Sequence, residues 1–182
     1  MAAKKTRRRA VHTELKNVST NIRKHINDLL GYVLTIGITL FIVYYIAQPV
    51  IVEGRSMDPN LKNGNFGFTG KMFEDEDIQR FDIVVIRLEG NKHIVKRVIG
   101  LPGENVVYKD NVLYVDGEKI EEEFIGEDIN TGDFYVHVPD GQYFCLGDNR
   151  EHSADSRHYG TFEAGQIIGK DIFLIIPLRG LV

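Results

Sequence analysis

A serine in a turn is the first residue of this 182-residue chain that could do chemistry. Ser56 lies in the stretch VEGRSMDPNL, with Gly54 two residues before it and Pro59 three after, directly behind a long apolar segment. It is either a turn residue or a nucleophile, and a nucleophilic serine needs a base to take its proton. Of the six histidines, His12 and His25 precede the apolar segment; His93, His137, His152 and His158 follow it. None of these stands in a triad signature, no G-x-S-x-G turn occurs, and each reads as a surface or turn histidine. Lysine is the other option. In HIVKRVIGLPG, residues 93–103, strand alternation puts Ile94, Lys96 and Val98 on one face and Val95, Arg97 and Ile99 on the other. A lysine so flanked either snorkels to water or is desolvated, and desolvation disfavours the ammonium and makes the amine a base. A third stretch, GDNREHSADSRHYG at 147–160, gathers Asp148, Asn149, Arg150, Ser153, Asp155, Ser156 and Arg157 behind the apolar YFCL. By itself it is a polar turn laced with Asp/Arg pairs, or a loop whose hydroxyl and carboxylates orient Lys96.

Strands must position these residues. From Ile51 onward the chain breaks into short alternating or apolar runs between turn residues: FGFTG, FDIVVIRL, HIVKRVIG, ENVVYKDNVLYVDGEKI, FYVHV, QYFCLG and QIIGKDIFLIIPL. Lys109-Asp110-Asn111 and Asp116-Gly117 read as hairpin turns. No stretch after Ala47 has a helical period, so the expected fold is mainly β, an antiparallel sheet of barrel or sandwich type. There is no internal repeat. The acidic run GEKIEEEFIGEDINTGD reads as a solvated loop and hairpin rather than a site.

The first 47 residues are of another kind. Leu29–Ala47 is uncharged and about as long as a bilayer-spanning helix, with Tyr44 and Tyr45 at its end like an interfacial belt. It is longer than a signal-peptide core and lacks a small-x-small exit, so it reads as an uncleaved span. Residues 1–28 carry eight Lys/Arg against Glu14 and Asp28, whereas the remainder has 14 basic and 24 acidic residues. The positive-inside rule then leaves the N-terminus in the cytoplasm and residues 48–182 outside. Val11, Leu15, Val18, Ile22, Ile26 and Leu29 recur at steps of three or four, which fits either a basic amphipathic helix on the inner membrane surface or a loosely helical solvated tail. The division expected is a basic cytoplasmic segment at 1–28, a span at 29–47 and an extracytoplasmic β domain at 48–182. A domain this acidic would repel nucleic acid. The single cysteine, Cys145, excludes an internal disulfide, and the absence of CxxC and HExxH leaves a zinc site little support.

Taken together, the three stretches resemble type I signal peptidases, membrane-anchored Ser-Lys proteases that remove signal peptides from exported proteins. The serine box is Ser56-Met57-Asp58-Pro59, and the lysine box runs from Lys96-Arg97 to Gly103. The last box is Gly147-Asp148-Asn149-Arg150 with Ser153, Asp155, Ser156, Arg157 and Gly160, and RFDIVVI resembles a further strand box. The resemblance runs from the anchor to near the C-terminus. It implies Ser56 as nucleophile and Lys96 as general base, with Ser153 holding the amine and Asp155 tying the loop to the arginines. It also implies supporting places for Gly54, Met57, Pro59, Arg97, Asp148, Arg150 and Arg157. The implied substrates are signal peptides of secretory preproteins, bound as an extended strand with small residues at −3 and −1, at a phospholipid membrane and without metal or cofactor. Two departures stand out. Gly54 takes the place of a serine that helps bind the oxyanion in some members, leaving the Ser56 N–H and another group to do so. Asn60 replaces a common threonine, with little expected effect. The compact β domain resembles the Gram-positive forms. Two rivals are a soluble Ser-Lys autoprotease, which the span opposes, and a catalytically silent anchored β scaffold, which the Ser56/Lys96 pair opposes.

Overall fold

The computed structural model describes residues 2–126 and 130–177, with side chains from residue 20 to 174. The chain falls into two compact units, residues 1–44 and 45–182. In the first, helix α1 runs unbroken from Ala2 to Phe41 and ends in a π-helical turn, Ile42–Ile46. The basic segment is therefore helical and continuous with the apolar one; no break sets off a separate surface helix. Thr20–Ile46 is long and apolar enough to cross a membrane. Two of its hydroxyls are satisfied inside the helix, Thr35 Oγ1 donating to Gly31 O and Thr39 Oγ1 to Thr35 O, both at 2.9 Å. A helix in lipid has no water to fall back on, so this matters.

The second unit is antiparallel β, as expected. Strands β1 (Ala47–Ile51), β2 (Asn65–Gly70), β3 (Ile83–Arg87), β4 (His93–Gly100), β9 (Gln142–Leu146), β10 (Phe162–Glu163) and β11 (Ile167–Pro177) form a curled seven-stranded sheet in the order β1-β2-β11-β3-β4-β9-β10. Strands β5 (Asn105–Lys109), β6 (Val112–Val115), β7 (Glu118–Ile120) and β8 (Phe134–His137) form a second sheet in the order β7-β6-β5-β8. The hairpin turns fall where the sequence puts them. Asp110 and Asn111 have φ of 50° and 64°, and Asp116 and Gly117 have 50° and 87°. Positive φ at both central residues matches the turn twist to the strand twist. Three features depart from the sequence reading. Ala47 opens β1 and does not close the span. The two-residue β10 is too short to carry a pattern. A one-turn helix, α2 (Ser156–Tyr159), is capped by the Asp155 side chain, which accepts from the Arg157 N–H.

Strand β4 serves both sides of its sheet. Val98 joins Val84, Ile86, Tyr143 and Cys145 in one buried cluster. Ile99 joins Val106, Tyr108, Leu113, Phe144 and Leu146 in another, where the second sheet packs. A third cluster, Val52, Met57 and Leu61 over Ile83, Val95 and Ile172, fastens the chain around Ser56 to the sheet.

Candidate active site

The serine turn is built on Met57. This side chain is 1% exposed, while Ser56 beside it stays half-buried at the surface. Burying a Met-sized side chain contributes roughly 1.5–3 kcal/mol, enough to hold the turn down. Backbone bonds close the turn: Leu61 N–H donates to Met57 O at 2.9 Å and Asp58 N–H to Arg55 O at 3.2 Å. Pro59 follows through a cis peptide bond. Gly54 has φ of +84°, a conformation that favours glycine, and its N–H donates to Asn63 Oδ1 at 2.9 Å. Among the described residues the Ser56 N–H has no acceptor.

Lys96 comes to this turn from the middle of β4. Its partner across the sheet is Val84, and two residues on Val98 pairs with Cys145, so its stem runs through apolar surroundings. The residue is 3% exposed. Its Nζ donates to Ser56 Oγ at 2.8 Å and to Val95 O at 3.0 Å. The amine does not snorkel to water. Burial is the dominant influence on its pKa and lowers it; Asp155, Cys145 and Asp148 pull it back up, and the outcome is about 8 against an ordinary 10.5. Cys145 is itself pushed up by burial and stays a neutral thiol at neutral pH.

The loop 147–157 closes over the pair. A Cβ added to Gly147 would lie 2.2 Å from Ser153 Oγ and 2.4 Å from Ser56 O, so only glycine permits this approach. Asn149 N–H donates to Ser56 O at 3.0 Å, fixing the loop to the serine backbone. Ser153 is buried, but among the described residues its Oγ has no partner at hydrogen-bonding geometry, and no bond joins it to Lys96. It is still near enough to Asp155 to favour the carboxylate's charge. Burial alone would raise the Asp155 carboxyl, but Arg157, the Gly147 N–H and Ser153 outweigh it and hold its pKa below the ordinary range. Arg157 grips Asp155 with two bonds of 2.9 Å. Arg97 grips fully buried Asp148 through Nε at 2.8 Å and Nη2 at 2.6 Å.

Arg150 is also buried. It reaches Glu122 Oε1 at 2.6 Å, Tyr108 Oη at 2.5 Å, Thr131 Oγ1 at 3.1 Å and Gly147 O at 3.0 Å. Glu122 and Thr131 lie in the acidic run that reads as a solvated loop, and for them that reading is corrected: the Glu122 side chain is 5% exposed because it neutralises a buried guanidinium. Tyr108, on the buried parity of β5, was findable only as a core residue. The four histidines of this unit are exposed; His93 and His152 line the groove beside Ser56, and none bonds to it. Among the described residues no His/Cys/Asp/Glu group could hold a metal ion.

The groove has a volume of about 660 Å³ and is walled by Gln48–Ile51 of β1 on one side and His93–Val95 of β4 on the other, with Ser56 and Lys96 among its lining residues. β1 is a terminal strand of its sheet, so among the described residues one of its edges lacks a strand partner. An edge of this kind presents free N–H and C=O groups to an extended peptide.

A pair with this geometry can take a proton from a hydroxyl only when the amine is neutral, and that requirement fixes a stability prediction. Below pH 8 Lys96 is protonated in both folded and unfolded chains, and the folded one bears the whole desolvation penalty; above about 10.5 both are neutral and it vanishes. Lys96→Met is therefore expected to raise stability at pH 7 by up to roughly 3 kcal/mol, with the gain shrinking between pH 8 and 10.5. Urea unfolding across that pH range checks it.

The sequence matches the family model described as signal peptidase, peptidase S26, over residues 26–176. It is 38% identical over 186 residues to signal peptidase I T of Bacillus subtilis (strain 168), covering 92% of this chain and 96% of that one. It is 39% identical over 150 residues to signal peptidase I of Bacillus caldolyticus, covering 74% and 82%. The crystal structure of a signal peptidase I from Enterococcus faecalis V583 superposes with a TM-score of 0.47 at 36% identity, covering 50% of this chain and 94% of that one. The chain belongs to the signal peptidase family, peptidase S26, and is a peptide-bond hydrolase.

Proposed function

We propose that the protein cleaves N-terminal signal peptides from exported precursors with a Ser56–Lys96 dyad at the outer face of a membrane. The observation that carries the chemistry is the 2.8 Å bond from a buried lysine amine to the hydroxyl of a turn serine 40 residues away. In the acylation step Ser56 Oγ attacks the scissile carbonyl carbon while the neutral Lys96 Nζ takes the hydroxyl proton. The Ser56 N–H, which has no acceptor among the described residues, donates to the developing oxyanion. The lysine then returns the proton to the leaving amine as the C–N bond breaks, giving an acyl-enzyme and the mature N-terminus. Lys96 next deprotonates water, which attacks the ester carbonyl carbon; as the bond to Ser56 Oγ breaks, the lysine returns that proton to Oγ and the signal peptide leaves as its free carboxylate. The substrate lies extended along the free edge of β1, its residues before the scissile bond between β1 and β4.

The supporting residues divide by what they touch. Met57 and Pro59 shape the serine turn, and Gly54 gives it its left-handed backbone. Asp148 with Arg97 and Asp155 with Arg157 pin the flanking loop while holding each carboxylate's charge against an arginine rather than against Lys96. Arg150 ties the same loop to the second sheet. Ser153, whose buried hydroxyl is without a partner among the described residues, is the group assigned to hold the amine. By this reading residues 1–28 are cytoplasmic, the apolar helix from Leu29 to Ile46 spans the bilayer, and the chain from Ala47, where β1 opens, forms the extracytoplasmic peptidase domain. The eight Lys/Arg ahead of the span support that orientation.

Two experiments test the reading. Ser56→Ala, produced in place of the wild type, is expected to let the precursor of a secreted reporter accumulate with its signal peptide attached; unchanged processing contradicts it. For topology, Cys145, the one cysteine and fully buried, is expected to react with a membrane-impermeant thiol reagent in wall-stripped cells only after mild unfolding. An N-terminal tag should resist external protease. Protection of the β domain in intact cells contradicts the orientation.

A further inference from the structure

Residues 122–124 touch the machinery at three separate points. Glu122 pairs with Arg150, which bonds Gly147 O. The Phe124 ring lies under the Arg97 guanidinium, 4.0 Å from Cζ to the ring centroid, and packs edge-on against Phe81 at 4.9 Å. The Phe124 carbonyl accepts from Asn60 Nδ2 at 2.7 Å. The same Asn60 nitrogen donates to Asp148 Oδ2 at 2.8 Å, and that oxygen also takes Arg97 Nη2 at 2.6 Å. Asn60 thus carries both hydrogens of one amide to two places 64 and 88 residues away in sequence.

We infer that Asn60 and Phe124 are positioning residues for the cleavage, together locking the serine turn in register with the Arg97–Asp148 pair and so setting where Ser56 stands against Lys96. The inference rests on the dyad proposed above. Ser56 and Asn60 flank one tight turn, and Lys96 and Arg97 are neighbours on one strand. Asn60 bonded to Asp148, and Asp148 clasped by Arg97, is therefore a second tie between the same two elements that meet at the reacting hydroxyl. Met57 holds the turn down against the sheet, but an apolar contact has no direction and permits sliding; the amide bonds do not. Phe124 fixes the other end, since its carbonyl orients the Asn60 amide and its ring flanks the guanidinium that orients Asp148. Neither residue lies among those lining the substrate groove, so both act on the alignment of the nucleophile and not on peptide binding. Loss of alignment by about 1 Å is enough to slow a reaction roughly a hundredfold.

The test is steady-state cleavage of a signal-peptide substrate by the full-length protein in detergent, comparing wild type with Asn60→Ala, Phe124→Leu and Ser56→Ala. Phe124→Leu keeps bulk in the site and covers the case in which one variant folds poorly. The expected result is a kcat about tenfold lower in both positioning variants, KM within twofold, and melting temperatures close to wild type. The inference is overturned if kcat stays within twofold in both. It is equally overturned if kcat falls only in step with melting temperature and rising KM. Ser56→Ala separates the two levels: residual wild-type activity there defeats the dyad itself, whereas an inactive Ser56→Ala beside fully active Asn60 and Phe124 variants defeats only the positioning role.

Discussion

A buried amine with no counter-ion of its own is the constraint to which the rest of this structure answers. Among the described residues Lys96 forms no ion pair, yet it is 3% exposed and hydrogen-bonded to Ser56. Water would keep the amine charged, so the fold must exclude water; carboxylates would also keep it charged, so the fold must occupy them. It does both. β4 sits between β3 and β9 and carries the stem through Val84 and Cys145. The two nearby carboxylates, Asp148 and Asp155, are each clasped twice by an arginine. Arg97 and Arg157 are thus as much electrostatic shields for Lys96 as they are braces for the loop. The arrangement costs stability at neutral pH, a common trade at sites whose groups must be held in an unfavourable protonation state.

The amine also has to meet a hydroxyl brought from elsewhere in the chain, and small residues make that meeting possible. Gly147 lets the loop lie against Ser56 O and Ser153 at distances no Cβ would allow. Met57 anchors the turn from below, and Asn149 fixes it from the side. The second sheet contributes through Arg150, whose four acceptors come from Glu122, Tyr108, Thr131 and Gly147. That sheet has its own hydrophobic contact with β4 and β9, so the site is braced by packing as well as by charge.

Much of this was legible in the residues themselves. The strands from FGFTG onward alternate because one face of each meets a core, and the Asp110-Asn111 and Asp116-Gly117 turns announce themselves through residues that tolerate positive φ. Ser56, Lys96 and the GDNR loop stand out as boxes of local sequence. What local sequence hides is pairing at a distance. Glu122 looks like one acid among several in a soluble run, and only the buried Arg150, 28 residues on, distinguishes it. Asn60 reads as a harmless replacement until Asp148 and Phe124 O are found at its amide. Ala47 opens β1, yet it reads as the tail of an apolar helix, because apolarity is common to a span and to an edge strand.

A lysine that deprotonates near 8 is the group that limits Ser56 in a Ser-Lys enzyme. The direct measurement is kcat/KM against pH for the detergent-solubilised enzyme, wild type beside Lys96→Arg and the single variants His93→Ala, His152→Ala and His158→Ala. With Lys96 lowered to about 8, kcat/KM should rise about tenfold per pH unit below that value and level off above it. Lys96→Arg should be inactive throughout, because a guanidinium does not deprotonate, and each histidine variant should keep the wild-type limb. A histidine variant that loses the limb and the activity together, or a Lys96→Arg enzyme that still cleaves, would contradict the lysine assignment.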